Sequence, residues 1–261
     1  MNQFPKLSIV TVSYNCVNEI ENTILSVINQ DYPNLEYIII DGGSTDGTLD
    51  IIKKYQHRIS YFVSEPDRGL YDAMNKGIEK ASGEWVTMRN CGDYFAEKDS
   101  LSKLFSEQVP DDVDFVCAAA YRVTDLGYYI ATFVRTTWHK QHLFDTQYRV
   151  SADFNLLYNS AKAGRKFVFR NIPVVIFPTG GFSSIRWDVG KREGQKVLGN
   201  YDSTFQKIIV EFMIFKIRIC FMFRKILKKI PAIKKKRDEI LKRQYSIKPL
   251  PLPLTPFWLE K

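Results

Sequence analysis

Four loops of this chain concentrate residues that can hold a polyanion. Asp41 opens the run DGGSTDGT (41–48). A carboxylate fixed by turn backbone N–H groups is an oriented acceptor, suited either to a nucleobase N–H or to capping its own turn. Arg68, in EPDRG, either takes up diphosphate charge, with Gly69 letting backbone approach closely, or stays a solvated loop cation. Asp93 follows Asn90 and Gly92 in NCGD (90–93). It is placed either to meet a divalent cation bridging phosphate oxygens, since magnesium and manganese prefer hard oxygen ligands, or to stabilise the turn. Cys91 beside it reads as a small buried filler.

Such loops act together only if the fold gathers them. Residues 7–14 are short, rich in β-branched side chains and bounded by Asn15, as a buried parallel strand would be. Asn18 and Glu21 form a capping-box pattern, and Ile20, Ile24, Val27 and Ile28 recur at helical spacing until Pro33. Residues 35–40 read as a second strand, Leu49, Ile52 and Tyr55 as a helix, 61–63 as a third strand, 71–81 as a helix and 84–88 as a fourth strand. This alternation predicts an α/β fold, a Rossmann-like, mostly parallel central sheet flanked by helices. Ligands of such sheets bind at the carboxyl ends of the strands, where residues 13–15, 41–43, 64–68 and 90–93 all fall. Beyond Asp114 the pattern loosens into β-rich segments at 115–123 and 128–134 and a helix at 152–163.

With 261 residues, 45% of them hydrophobic, the chain can bury one substantial core and carry an appendage. Its net charge of +8 is lopsided: residues 201–261 hold fifteen Lys/Arg against five Asp/Glu, and residues 1–200 hold twenty-two against twenty-four. A nucleic-acid reader would carry its cations on the folded face that meets phosphate, so no nucleic-acid partner is expected. The four cysteines show neither a C-x-x-C pairing nor zinc-like spacing with the three histidines, which predicts free thiols in a reducing compartment. The N-terminal run LSIVTVSY suits neither a signal peptide nor a spanning helix, and the domain is expected to be cytoplasmic.

Residues 207–230 are very apolar yet interrupted by Glu211, Lys216 and Arg218, which fits an interfacial amphipathic helix better than a spanning one. Lys207, Arg218, Lys225 and Lys229 share one face, and Lys216 lies on the apolar side. Lys234, Lys235, Lys236 and Arg237 extend the basic patch. An anionic membrane surface attracts such a segment by about 1 kcal/mol per cation. The alternative is a helix packed on the domain or on another subunit. The closing PLPLTPFWLEK presents Phe257 and Trp258 for docking at the interface or on the domain.

SIVTVSYN (8–15), DGGSTDGT (41–48), SEPDRGLYDAMNKGIEKASGEW (64–85) and NCGD (90–93), in that order, resemble the family 2 inverting glycosyltransferases of GT-A fold, particularly small enzymes of bacterial surface-polysaccharide assembly. The resemblance is strong over residues 6–95 and thins to SADFNLL (151–157) and PTGGFS (178–183). It implies a glycosyltransferase domain over 1–200, with a nucleotide-sugar donor half at 1–95 and an acceptor half at 96–200, ahead of the basic membrane-associating tail at 201–261. It further implies Asp41 as reader of the donor base, Ser13 and Asn15 near the nucleotide, Asp67 and Arg68 in the donor site, and Asn75 on a helix facing it. Asp93 takes the place of the metal-binding end of the family's acidic motif, for Mn2+ or Mg2+, although Asn90 and Gly92 stand where many relatives have further carboxylates. Asp153 resembles the catalytic base, with a helix N-cap as the plainer role, and Asp145, His139 and His142 as alternatives that read as a turn residue and surface histidines. PTGGFSS is an acceptor loop or a two-glycine turn. The implied reaction moves a hexosyl or N-acetylhexosaminyl group from a nucleotide sugar, with uracil as the base, to a saccharide or polyprenyl-linked acceptor at the inner face of the plasma membrane. A nucleotidyltransferase would carry a Gly-rich N-terminal loop with a basic residue, which SYNCVNEIEN lacks. A non-catalytic nucleotide-binding relative or partner-binding module is the alternative.

Overall fold

A computed structural model describes residues 4–122, 129–177, 181 and 185–227. Strand β1 (Leu7–Ser13) is buried along its whole length and sits inside a parallel set with β2 (Leu35–Asp41), β3 (Tyr61–Ser64) and β4 (Trp85–Asn90). The two-residue period of β1 shows how the sheet is clothed. Leu7 and Ile9 pack with Ile20 and Ile24 of α1 (Ile20–Ile28) and Ile52 of α2 (Thr48–Lys54). Val10 and Val12 point the other way and pack with Tyr71, Met74 and Ile78 of α3 (Leu70–Lys80). Helices therefore cover both faces, and each fully buried aliphatic side chain contributes about 1.5–3 kcal/mol. Helix α3 lies close on the sheet because Gly77 has no Cβ: one placed there would come 2.3 Å from Val10 Cγ1.

The second half extends the sheet through β5 (Tyr94–Phe95), β6 (Phe115–Arg122), β7 (Tyr129–Arg135) and β8 (Phe167–Phe177), giving the order β3-β2-β1-β4-β7-β6-β8-β5. Four pairings among the described residues are parallel and three antiparallel, as β7 runs against β4 and β6, and β5 against β8. Helices α4 (Ser100–Leu104), α5 (Thr136–Gln141) and α6 (Ala152–Lys162) complete this unit, which ends at Arg186.

A second unit begins at Trp187 with α7 (Trp187–Val197) and α8 (Thr204–Leu227), so α7 is grouped with the tail and not with residues 1–200. Within it, Arg192 binds both carboxylate oxygens of Glu211, at 2.5 and 2.9 Å, and Asp188 takes Arg192 at 3.3 Å and Arg218 at 2.7 Å. Arg218, expected among the solvent-facing cations, is thus engaged by α7. Helix α8 leaves Phe205, Ile208, Ile209, Phe212, Met213 and Phe215 exposed at three- and four-residue spacing, Phe205 by 72% and Phe212 by 60%. No helix of the described residues is long and apolar enough to cross a membrane. The cations at 234–237 and the closing PLPLTPFWLEK lie outside the described residues, as do 178–180 and 182–184 of the two-glycine stretch.

Candidate active site

Strand register brings the four polar loops to one sheet edge: Ser13 pairs with Asp41, Asp41 with Ser64, and Val12 with Asn90. Asp41 is fully buried there and is the hub of that edge. Its Oδ1 accepts from Ser13 Oγ at 2.8 Å and Ser44 Oγ at 2.6 Å. Its Oδ2 accepts from the N–H groups of Gly43 and Ser44 at 3.0 and 2.8 Å and from Ser64 Oγ at 2.7 Å. Burial alone would raise this carboxyl, but the hydrogen bonds from Ser44, Ser64 and Ser13 hold it below the usual carboxylate range. A carboxylate with five donors has its lone pairs engaged, so Asp41 organises three strand ends. Asn15, in the left-handed region that Asn tolerates (φ 46°), accepts from Thr45 N at 2.9 Å through Oδ1, while its own N–H donates to Ser44 Oγ. These bonds lace the loop after β1 to the loop after β2.

A cleft of about 1080 Å³ opens at this edge. Of the residues singled out from the sequence, Ser13, Asp67, Asp93 and Asp153 line it; Asn15, Asp41, Arg68 and Asn75 do not. Asp67 packs so closely over Gly42 that a Cβ there would lie 2.4 Å from Asp67 Oδ2. The Arg68 side chain is 86% exposed and donates to Asp72 Oδ1 through Nη2 at 2.8 Å, so the expected diphosphate cation stands on the surface, paired with a carboxylate of α3. The ring of Tyr14, 65% exposed, lines the same cleft and offers a flat face for stacking.

Asp93 closes the turn after β4, its N–H donating to Asn90 O at 2.9 Å. Burial pushes its carboxyl up to about 7 against the pull of Arg89. The Arg89 guanidinium is buried between Phe95 and Phe133, 4.6 and 5.6 Å from their ring centres. Asn90 Oδ1 is buried and accepts no hydrogen bond from any described residue. Asp93 and Asn90 therefore offer two hard oxygens on one turn in the cleft, which suits a divalent cation completed by phosphate oxygens and water. Among the described residues no cluster of three or more His, Cys, Asp or Glu stands ready to hold a metal alone.

The expectation of free thiols is overturned here: Cys16 and Cys91 form a disulfide, with Cα atoms 6.7 Å apart. Adjacent parallel strands end at the same edge, so the loops after β1 and β4 converge although 75 residues separate the cysteines. Cys117 is free and buried.

Further along the cleft, Asp153 is the second residue of α6, two positions after the N-cap Ser151. Its Oδ1 accepts from Phe154 N at 2.8 Å and Tyr71 Oη at 3.0 Å. Asn75, one helical turn beyond Tyr71, does not reach the cleft: its Nδ2 donates to Phe144 O and its Oδ1 accepts from Phe144 N, both at 2.9 Å. His139, expected on the surface, is buried and lines the cleft, its Nδ1 3.0 Å from His142 O, and burial lowers its pKa to about 4. His142 stacks on Trp138 with ring centres 4.2 Å apart, and Asp145 Oδ1 accepts from Gln147 N as a turn residue does.

Residues 8–173 match the family model described as Glycosyl transferase family 2. TuaG, a putative teichuronic acid biosynthesis glycosyltransferase of Bacillus subtilis, is 40% identical over 105 residues, 39% of this chain and 41% of that one. An uncharacterized glycosyltransferase of Mycobacterium tuberculosis is 36% identical over 104 residues, 40% of each chain. The matched segment thus spans about two fifths of the length of these curated relatives. Among solved structures, the mannosyltransferase PcManGT from Pyrobaculum calidifontis, in complex with GDP-Man and Mn2+, superposes with a TM-score of 0.64 over 80% of this chain and 69% of that one, at 19% identity. S. aureus TarS 1–349 in complex with UDP-GlcNAc gives 0.61 over 74% and 64%, at 17% identity. These likenesses establish the GT-A fold. The family match, running through β1, the Asp41 hub, the Asp93 turn and α6, covers more than half of the sequence, and the chain belongs to glycosyl transferase family 2.

Proposed function

We propose that this chain is an inverting glycosyltransferase of surface-polysaccharide assembly. It takes a hexosyl or N-acetylhexosaminyl group from a nucleotide sugar, with UDP as carrier, to a saccharide or polyprenyl-linked acceptor. The observation that carries the reading is the sharing of one cleft by Asp93 and Asp153, carboxylates 60 positions apart on the loop after β4 and on α6. The complexes of TarS with UDP-GlcNAc and of PcManGT with GDP-Man and Mn2+ support a nucleotide-sugar donor and a divalent cation.

In this reading the nucleoside lies against Tyr14 and the strand ends held by Asp41, with Ser13 and Asp67 bordering the donor. Asp93 and Asn90 Oδ1 would hold Mn2+ or Mg2+, which when bound neutralises charge on the departing nucleoside diphosphate. Arg68 reaches that diphosphate only by releasing Asp72. Asp153 takes the proton of the acceptor hydroxyl as it attacks the anomeric carbon from the face opposite the leaving group, so a single displacement inverts the configuration. The exposed apolar face of α8 supports a peripheral seat on a membrane surface, close to a lipid-linked acceptor.

The test is a panel of nucleotide sugars, with and without Mn2+, scored for release of nucleoside diphosphate by the purified chain and by its Asp93→Ala and Asp153→Asn variants. Release that selects one donor and is lost in both variants, with nucleotide binding kept in Asp153→Asn, is the expected result. Saturable nucleotide binding without release under any condition favours the non-catalytic relative, and full turnover in Asp153→Asn removes that residue as base.

A further inference from the structure

Helix α3 stands between the two halves of the site. The loop that leads into it carries Asp67, and its first turn carries Tyr71, whose hydroxyl lies 2.8 Å from Val150 O and 3.0 Å from Asp153 Oδ1. One turn on, the Asn75 amide grips both backbone polar groups of Phe144, and the Tyr71 and Phe144 rings pack with centres 5.2 Å apart. The segment between α5 and α6 is thus tied to α3 at Phe144, at Val150 and at Asp153. Tyr71 thus reaches the Asp153 carboxylate from the α3 side of the cleft.

We propose that Tyr71 is a positioning residue for the reaction: its hydroxyl, with the Phe154 N–H, fixes the orientation of the Asp153 carboxylate toward the acceptor hydroxyl. This rests on the reading of Asp153 as the base. An aspartate in the first turn of a helix has more than one staggered rotamer open to it, and two donors on one oxygen favour the rotamer seen here. The single Tyr71 hydroxyl proton has two acceptors in reach, Val150 O and Asp153 Oδ1, of which the charged carboxylate is the stronger, and burial, with the nearby Asp153 charge, raises the hydroxyl pKa well above the ordinary tyrosine value so that the proton is kept. The same helix joins the Asp67 loop to the Asp153 segment, so Tyr71 also registers the base against the donor end of the cleft. Misplacing a reacting group by about 1 Å costs on the order of a hundredfold in rate, which sets the size of the effect.

The experiment compares the full chain with its Tyr71→Phe, Asp153→Asn and doubly substituted forms. The readouts are UDP release from UDP-glucose, UDP-galactose and UDP-N-acetylglucosamine, with water or a p-nitrophenyl glycoside as acceptor, and the Kd for UDP. Tyr71→Phe is expected to lower kcat about tenfold to a hundredfold with donor KM and UDP affinity unchanged. Added to Asp153→Asn it is expected to cost nothing further, because a residue that acts through another has no effect once that other is gone. A wild-type kcat in Tyr71→Phe, beside an inactive Asp153→Asn, overturns the positioning role alone. An equal loss from Tyr71→Phe in both backgrounds, or a matching loss of UDP affinity, also overturns it by making Tyr71 merely structural. Full turnover in Asp153→Asn, or no turnover by the unaltered chain, removes the base reading and this inference with it.

Discussion

Replacing Asp41 by Asn separates a scaffold from a ligand. The carboxylate accepts five hydrogen bonds, two on Oδ1 and three on Oδ2. In the variant the amide nitrogen must take one of those places. At the Oδ2 place it would face the backbone N–H groups of Gly43 and Ser44, which cannot reverse, and each buried donor left unpaired costs about 1–3 kcal/mol. At the Oδ1 place its neighbours are the hydroxyls of Ser13 and Ser44, which can turn and accept. The second arrangement is cheaper, and its cost is the change from charge-assisted to neutral bonds, about 2 kcal/mol over the five. At a urea slope of about 3 kcal/mol/M, the unfolding midpoint then falls by about 0.7 M at neutral pH. The folded-state pKa of Asp41 lies below its unfolded value of 3.8, so its contribution is present above that pH and disappears as pH falls through the folded pKa. The gap between the two proteins should therefore close in acid. Urea unfolding at several pH values and UDP titration on the same samples make the assay. An Asn variant within about 0.5 kcal/mol of the parent that has lost tenfold or more in UDP affinity would refute the scaffold argument and restore Asp41 as a base reader.

Glu36, at the other end of the sheet, is held by Ser8 Oγ, Ser82 N, Ser82 Oγ and Lys6 Nζ; burial opposes its ionisation, yet these donors bring its pKa down from 4.5 to about 2. Its contribution, at most about 3 kcal/mol, is complete above pH 4.5 and lost as pH falls toward 2. Glu36→Gln should be less stable at pH 7, converge with the parent near pH 2 and bind UDP unchanged; a gap that persists in acid would count against this account. For α8, Phe212→Asp in the full chain should weaken co-sedimentation with phosphatidylglycerol vesicles at least tenfold, since one buried Phe is worth about 1.5–3 kcal/mol. Unchanged sedimentation would remove the membrane seat, and equal binding to neutral phosphatidylcholine vesicles would remove its preference for an anionic surface.

The first four strands are legible in the sequence because both faces of the sheet are covered: a strand such as LSIVTVS is buried throughout, so its residues are small, β-branched or apolar, its polar Ser8, Thr11 and Ser13 are paired with β2, and the run stands out between polar turns. The long strand β8 gives no such signal. It contains Arg170, Asn171 and Pro173, and its pairing with β6 shifts register at Ala118/Ala119 and Ala119/Ala120, so irregular pairing across distant sequence makes it a strand. The site was legible at the level of loops, because strand ends gather in this fold. Side-chain direction was not. Asn75 turns to Phe144 and Arg68 to Asp72, choices made by the neighbours that tertiary packing delivers, and Asp41 accepts so many donors only because three strands end together. Tyr71 had one cue, its four-residue spacing from Asn75 on the same helix, but its partner lies 82 positions away. The cysteine pair had none, since register and not spacing joins Cys16 to Cys91.

That pair changes the connectivity of the chain. Everything from α1 through β4 lies inside a covalent ring closed by a bond across 75 residues. An unfolded chain so closed explores fewer conformations, and loop closure of that length corresponds to roughly 4 kcal/mol of entropy removed from the disordered state. Refolding of residues 16–91 therefore begins from a ring with the β1 and β4 ends already joined. A protease that cuts an exposed turn within the ring, such as the one after α2, produces two fragments that migrate as one molecule until a reductant parts them.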